Sequence, residues 1–429
     1  MGRYDDIIKR TEEFRRDRFG MFIHWGLYSV RAKHEWTKKR DALTDEQYGK
    51  YFDSFTAEGY DPADWAKTAK KAGMKYAVLT TKHHEGFCLF DSAYTDYKAT
   101  NTPAGRDLVR EFVDAFRAEG IKIGFYYSLL DWHHPDYPHF SDSRHPMYGN
   151  PDYPDEGRDF SRYVEYMHNQ VRELCSNYGK IDIMWFDFSY GDMRGEKWRA
   201  SDLVKTVRAL QPGIVIDNRL DCKSYPNQDE APEYAGDFFS PEQFVPSDGL
   251  KDSLLRPLPW EACVTTQYDS WGYRADNDNF MNARDIIHML VDCVSKNGNL
   301  LLNVGPDGKG RLPKTVKAVL SEVGDWMNDN GASVYGCGSV ELPRPEWGRL
   351  TGDGKYIYAH FFDKIGFCAQ VKGLKREAVD YALRLADNSE VALNNFWNKA
   401  AGEEYVSIYF PRADLADKND TVVKFVLKK

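Results

Sequence analysis

IDIMWFDFSYG, residues 181–191, is the stretch on which the reading of this chain turns. A short apolar run, 181–186, ends in a single carboxylate, Asp187, and passes at once into loop-forming residues. Parallel strands in a barrel or open sheet carry their reactive groups here, where strand gives way to loop. Three more segments repeat the pattern. YAVLTTKHHEGF (76–87) closes on His83 and His84, IKIGFYYSLLDW (121–132) on tyrosines and Asp131, and GIVIDNR (213–219) on Asp217 and Arg219. Apolar strands that each end in a polar cluster describe the floor of one active site.

The segments between these strands read as helices. DPADWAKTAKKAG (61–73) has Asp61 as N-cap, Pro62 at the first position and Gly73 as stop. GRDLVREFVDAFRAEG (105–120) puts Leu108, Phe112, Val113 and Phe116 on one face. Helical patterns over 159–179, 198–213 and 282–298 lead into IDIMWF, IVID and NLLLNVGP. The repeating unit implies parallel strands with right-handed crossovers. No GxGxxG follows MFIHWG and no P-loop occurs, so an irregular (β/α)8-like TIM barrel over 1–335 is preferred to an open doubly wound sheet. Beyond 335 the texture changes to short apolar runs at 355–362, 366–371, 381–386, 390–395, 405–410 and 421–428. These predict a small antiparallel β-sandwich over 336–429.

Composition narrows the function. The 429 residues carry a formal charge of −9 with no lysine/arginine run, which argues against nucleic acid as the partner. No apolar stretch reaches the ~18–20 residues of a membrane span. The charged N-terminus lacks a signal-peptide core. That favours the cytoplasm for the chain as given, and a secreted or periplasmic site if a leader has been removed. Seven scattered cysteines without a CxxC pair read as buried free thiols. The 27 Tyr, 24 Phe and 11 Trp hint at stacking platforms for sugar rings, although large cores use such residues too.

Counting by two places Ile183, Trp185 and Asp187 on one strand face, a carboxylate beside an indole. Glycoside hydrolysis needs a second carboxylate. Asp237, Glu242 in GDFFSPEQF (236–244) and Glu261 in LPWEACV (258–264) are the candidates, and spacing separates them weakly. HHE (83–85) and WHH (132–134) invite a metal, but neighbours on a strand point to opposite sides and no HExxH or zinc spacing occurs. Neither metal nor cofactor is expected. Neutral imidazoles that bind sugar hydroxyls fit better. No GxSxG elbow supports a serine hydrolase at Ser128.

With these segments in view, the chain resembles the α-L-fucosidases of glycoside hydrolase family 29. FGMFIHWGLYSV (19–30), HEW (34–36), LTTKHHEGFCLFDSAYTDY (79–97), GFYYSLLDW (124–132), MWFD (184–187), GDFFSPEQ (236–243), PWEACVT (259–265) and NGNLLLNVGP (297–306) carry the likeness in order over some 300 residues. The resemblance implies the barrel-plus-sandwich fold and an exo-acting, retaining attack on terminal α-L-fucose through a covalent intermediate. It implies Asp187 as nucleophile and Glu242 as acid/base, with Glu261 in reserve. His24, Glu35, Trp36, His83, His84, Tyr126, Trp185, Arg219 and Trp271 match fucose-binding positions. DNRLDCKSY (217–225) departs from the family's DRW pattern around Arg219. The implied partner is a fucosylated oligosaccharide or glycoconjugate, with neither nucleic acid nor membrane, and a homo-oligomer is left open. Two other readings stay in view: a non-catalytic fucose-binding protein, which would require loss of a carboxylate, and a barrel glycosidase for another sugar.

Overall fold

Strand alternation sorts the apolar side chains into two layers. In β4 (Ile183–Asp187), Ile183 and Trp185 join an interior cluster with Phe22, Tyr76, Tyr126, Phe238, Cys263 and Leu301. Met184 and Phe186, one residue along, pack instead into the larger core shared with the helices. The molecule is a computed structural model describing residues 2–363, 368–393, 405–409 and 417–428. Its main sheet holds β1 (Phe19–Ile23), β2 (Tyr76–Lys82), β3 (Lys122–Ser128), β4, β5 (Val215–Ile216), β6 (Glu261–Thr265) and β7 (Asn299–Val304). The order is β5-β4-β3-β2-β1-β7-β6, and every pairing is parallel.

Seven regular strands therefore stand where an eight-fold barrel was expected. The edges β5 and β6 do not pair directly. Residues 237–243 run between them, with parallel bridges from Phe238 to Asp217 on one side and from Phe239 to Trp260 and Glu242 to Cys263 on the other. Pro241 has no N–H to give, and Gln243 takes a left-handed φ of 62°. The segment makes isolated bridges where a ladder would otherwise form. It is the irregular eighth stave of the barrel, and it carries Glu242.

The helices lie where the sequence patterns predict. Asp61, Asp107, Asp159 and Asn282 each accept a first-turn backbone N–H at the starts of Pro62–Lys71, Leu108–Ala118, Phe160–Asn177 and Ala283–Val294. Gly73, at φ 86°, ends the first of these in a conformation that glycine adopts without strain. No helix among the described residues is long and apolar enough to cross a membrane.

After the helix Lys314–Asn330 come two antiparallel sheets. One orders β11 (Val379–Arg384), β14 (Thr421–Leu427), β9 (Tyr356–Phe361) and β8 (Gly348–Gly352), and the other β10 (Cys368–Lys372), β13 (Tyr405–Tyr409) and β12 (Ala392–Leu393). Phe361, Val423 and Phe425 of the first share a core with Val371, Val406 and Ile408 of the second, which makes a sandwich. β8 has no counterpart among the expected strands. The ends of three expected strands, at 366–367, 394–395 and 410, lie outside the described residues. The sandwich is tied to the barrel by the Trp326 indole, which donates to Asp420 O at 2.9 Å, and by the Arg349–Asp292 ion pair.

Candidate active site

Every group at the site stands at the C-terminal mouth of the barrel. His24 follows β1, His83 and His84 follow β2, Tyr126 lies in β3, and Trp185 and Asp187 lie in β4. Arg219 follows β5, Glu242 sits on the irregular stave, and Trp271 comes from the loop after β6. These residues line one pocket with Phe22, Trp36 and Phe188. Eight of the nine expected binding residues are thus brought together with both expected carboxylates.

Arg219 organises the carboxylates. Its Nη1 donates to Asp187 Oδ1 and to Glu242 Oε2, at 2.9 Å in each case, so the two oxygens lie no more than twice that distance apart. Retaining glycosidases hold their carboxyl groups ~5–5.5 Å apart, inverting ones ~6.5–9.5 Å. The guanidinium is fixed by Ser240, through Nε to Oγ at 2.8 Å and Nη2 to the carbonyl at 3.0 Å, and lies 4.5 Å above the Trp185 ring. The other Asp187 oxygen accepts from Tyr126 OH at 2.8 Å. The residues that follow the two carboxylates, Phe188 and Gln243, both hold positive φ, at 84° and 62°. That strain re-aims the chain at the rim and brings the Phe188 ring against Trp36 and His84.

Neighbouring side chains set the histidine tautomers. His24 Nδ1 lies 2.7 Å from Asn303 Oδ1, and Asn303 Nδ2 donates to Trp271 O at 2.8 Å, which orients the amide. Nδ1 is therefore the protonated nitrogen, and Nε2 keeps a lone pair. Ser128 donates to Leu130 O at 2.9 Å, so its Oγ accepts from His84 Nδ1 at 2.7 Å. His84 Nε2, the lone-pair side, stands 3.9 Å from Asp187. Burial pushes His24 down to about 3 and drives His83 and His84 well below the ordinary imidazole range. All three are neutral at pH 7.

Several expectations need correction. His83 and His84 do not point apart: their rings are 4.0 Å from one another and both line the pocket. They lie just past the end of β2, where Gly86 N bonds back to His83 O and strand alternation no longer applies. Glu35 is absent from the lining. Its Oε2 accepts from Trp271 N, Gly272 N and Ser270 Oγ, so it holds the Trp271 loop from behind. Glu261, the reserve acid/base, opens β6 at the opposite end of the strand from the mouth and is buried beneath Trp185. Asp237 pairs with Arg10 and Arg208 away from the pocket. Arg219 and Tyr126, taken alone, would hold Asp187 below the usual carboxylate range. Burial outweighs Arg219 and Tyr126, and its pKa is raised. The Glu242 side chain is 44% exposed and ion-paired with Arg219. Two cysteines, Cys222 and Cys368, are exposed.

A sequence model described as alpha-L-fucosidase matches residues 4–332. The chain belongs to the α-L-fucosidase family. It is 30% identical to the tissue alpha-L-fucosidase of Bos taurus over 349 residues, 75% of this chain and 68% of that protein. An alpha-L-fucosidase isoenzyme 1 from Paenibacillus thiaminolyticus superposes with a TM-score of 0.95 at 53% identity, over 99% of this chain and 100% of that one. A glycoside hydrolase family 29 α-L-fucosidase of Bacteroides thetaiotaomicron, solved as a trapped covalent intermediate, matches with a TM-score of 0.84 at 28% identity, covering 98% and 96%.

In this family member, sequence reasoning overlooked five contributors: Phe22, Phe188, Ser128, Ser240 and Asn303. Asn303 and Ser128 carry a detectable signal, since each is a polar residue inside an apolar strand, in NLLLNV and KIGFYYS. Phe188 and Ser240 carry none, because their roles depend on loop conformation.

Proposed function

We propose that Asp187 is the nucleophile and Glu242 the acid/base of an exo-acting, retaining α-L-fucosidase. In the first displacement a carboxylate oxygen of Asp187 attacks the anomeric carbon while Glu242 gives a proton to the departing glycosidic oxygen. In the second, Glu242 takes a proton from water, the water oxygen bonds to the anomeric carbon, and Asp187 leaves. The observation that carries this reading is the guanidinium nitrogen shared by Asp187 and Glu242. Its charge favours the ionised nucleophile and stabilises Asp187 again as it departs. Glu242, on the solvent side, faces the route by which aglycone leaves and water enters.

His24, His83, His84, Tyr126 and Arg219 supply hydrogen bonds to fucose hydroxyls, while Trp36, Trp185 and Trp271 supply apolar surface. Rejecting a sugar by its methyl group alone is worth only ~1–3 kcal/mol, so the hydroxyl contacts carry most of the selectivity. Glu35 acts through Trp271.

The test is release of nitrophenol from an aryl α-L-fucoside, set against aryl α- and β-galactosides, with the anomer of the first-formed fucose read by NMR. The expected result is fucoside-selective turnover giving the α anomer. Inverted product, or silence on the fucoside, overturns the reading.

A further inference from the structure

Glu261 is a buried acid that the two-displacement reaction does not use. It opens β6 and is fully buried inside the barrel, where its oxygens accept from the Tyr76 hydroxyl and, at 3.4 Å, from the Trp185 indole N–H. Both donors are neutral. Tyr76 begins β2 and Trp185 belongs to β4, so one carboxyl group joins three strands of which no two are neighbours in the sheet. A buried acid held only by neutral donors is costly compared with an apolar residue of the same size. Burial raises it to about 8. What lies above it gives the expensive group a task. The upper face of Trp185 supports the Arg219 guanidinium at 4.5 Å, and Arg219 is divided between Asp187 and Glu242.

We propose that Glu261 is a positioning residue for fucoside cleavage: by anchoring the indole N–H of Trp185 it fixes the ring on which Arg219 rests, and so the spacing of Asp187 and Glu242. This rests on the assignment of those two carboxylates above. The chain of contacts has a direction. Tyr76 steadies Glu261, Glu261 steadies the Trp185 edge, and the Trp185 face steadies the guanidinium. Loosening the first links misplaces Arg219 relative to both carboxylates at once. Both displacement steps then suffer together, whatever the leaving group.

The experiment measures kcat/KM for aryl α-L-fucosides, from dinitrophenyl to phenyl, in Glu261→Leu, Glu261→Gln, Trp185→Phe and the double variant Glu261→Leu/Trp185→Phe. Glu261→Leu should lose ~10- to 100-fold, by the same factor across the series, because misplacement of reacting groups by a fraction of an ångström costs on that order. Glu261→Gln keeps an acceptor for the indole and should recover to within ~3-fold of the parent, since the ring geometry is preserved. Trp185→Phe lacks the N–H, so Leu at 261 should cost nothing further in that background.

Losses that multiply in the double variant, parental activity in Glu261→Leu, or a loss confined to poor leaving groups each overturn the proposal. Should Glu261→Leu fail to fold, Tyr76→Phe replaces it. It should lower the rate in the parent and leave Trp185→Phe unchanged, and full activity of Tyr76→Phe in the parent is then the overturning result. A Glu242→Ala variant whose leaving-group dependence is no steeper than the parent's would sink the acid/base assignment instead, while the coupling between 261 and 185 is read independently of it.

Discussion

Asp187 and Glu242 accept hydrogen bonds from one and the same nitrogen, Arg219 Nη1, at 2.9 Å each. A shared cation offsets the repulsion that two close carboxylates otherwise suffer, and it fixes their separation more tightly than two independent side chains could. The reaction depends on that separation.

Asp187→Ala should lower kcat by at least ~10³, past the low end of what a lone acid/base contributes. Azide fits the space left by the carboxylate and should restore turnover as a fucosyl azide of inverted configuration, identified by NMR. Near-parental activity without azide would remove Asp187 from the mechanism.

Glu242→Ala should spare activated aryl fucosides and cripple those with poor leaving groups, because only the latter need a proton on the departing oxygen. A plot of log kcat/KM against leaving-group pKa should steepen relative to the parent. A parallel line would rule Glu242 out as the acid.

Arg219→Met should reduce kcat/KM by ~10²–10³, the typical loss for one preorganised charge-stabilising donor. It should also move the pH profile. Arg219 draws the Asp187 pKa down against burial, so without it that pKa rises further and the acid limb of kcat/KM shifts to higher pH. An unmoved acid limb would show that Asp187 is governed by other neighbours.

Asn303→Leu and Ser128→Ala remove the acceptors that hold the His24 and His84 ring protons on Nδ1. Each variant should raise KM ~3- to 10-fold, the loss of about 1 kcal/mol in one oriented hydrogen bond. Imidazole nitrogen shifts read by NMR should reveal a mixed tautomer. Unchanged shifts would mean that other contacts orient the rings.

Glu261→Gln offers a stability test with a definite sign. The folded-state pKa of Glu261 is raised from an ordinary 4.5 to about 8. Its proton therefore supports the native state fully below about pH 4.5, and that support is lost as pH rises toward 8. Glutamine does not titrate. The variant should gain on the parent by up to ~1.4 kcal/mol per pH unit across this window, visible as a widening Tm difference. A difference independent of pH would argue that Glu261 is ionised in the fold.

Much of this could be read from residue spacing. Period-two alternation fixed the inward face of 183–187, and apolar periodicity with glycine stops located the helices, because both signals are local. What escaped depends on contacts between distant segments. The irregular stave was illegible because isolated bridges leave no periodic trace, and Pro241 interrupts the segment. His83 and His84 were misjudged because alternation was carried past the point where β2 ends. Glu261 resembled a catalytic acid by neighbourhood in sequence, yet its place at the first residue of β6 puts a strand's length between it and the mouth.

The stave also divides the labour of evolutionary change. Asp187 ends a strand paired with β3 along its whole length and with β5 at its start, whereas Glu242 rides on a strip joined to its neighbours by isolated bridges. Substitutions on the strip that spare Phe238, Ser240 and Glu242 should therefore disturb the chamber that grips the sugar less than substitutions along β4.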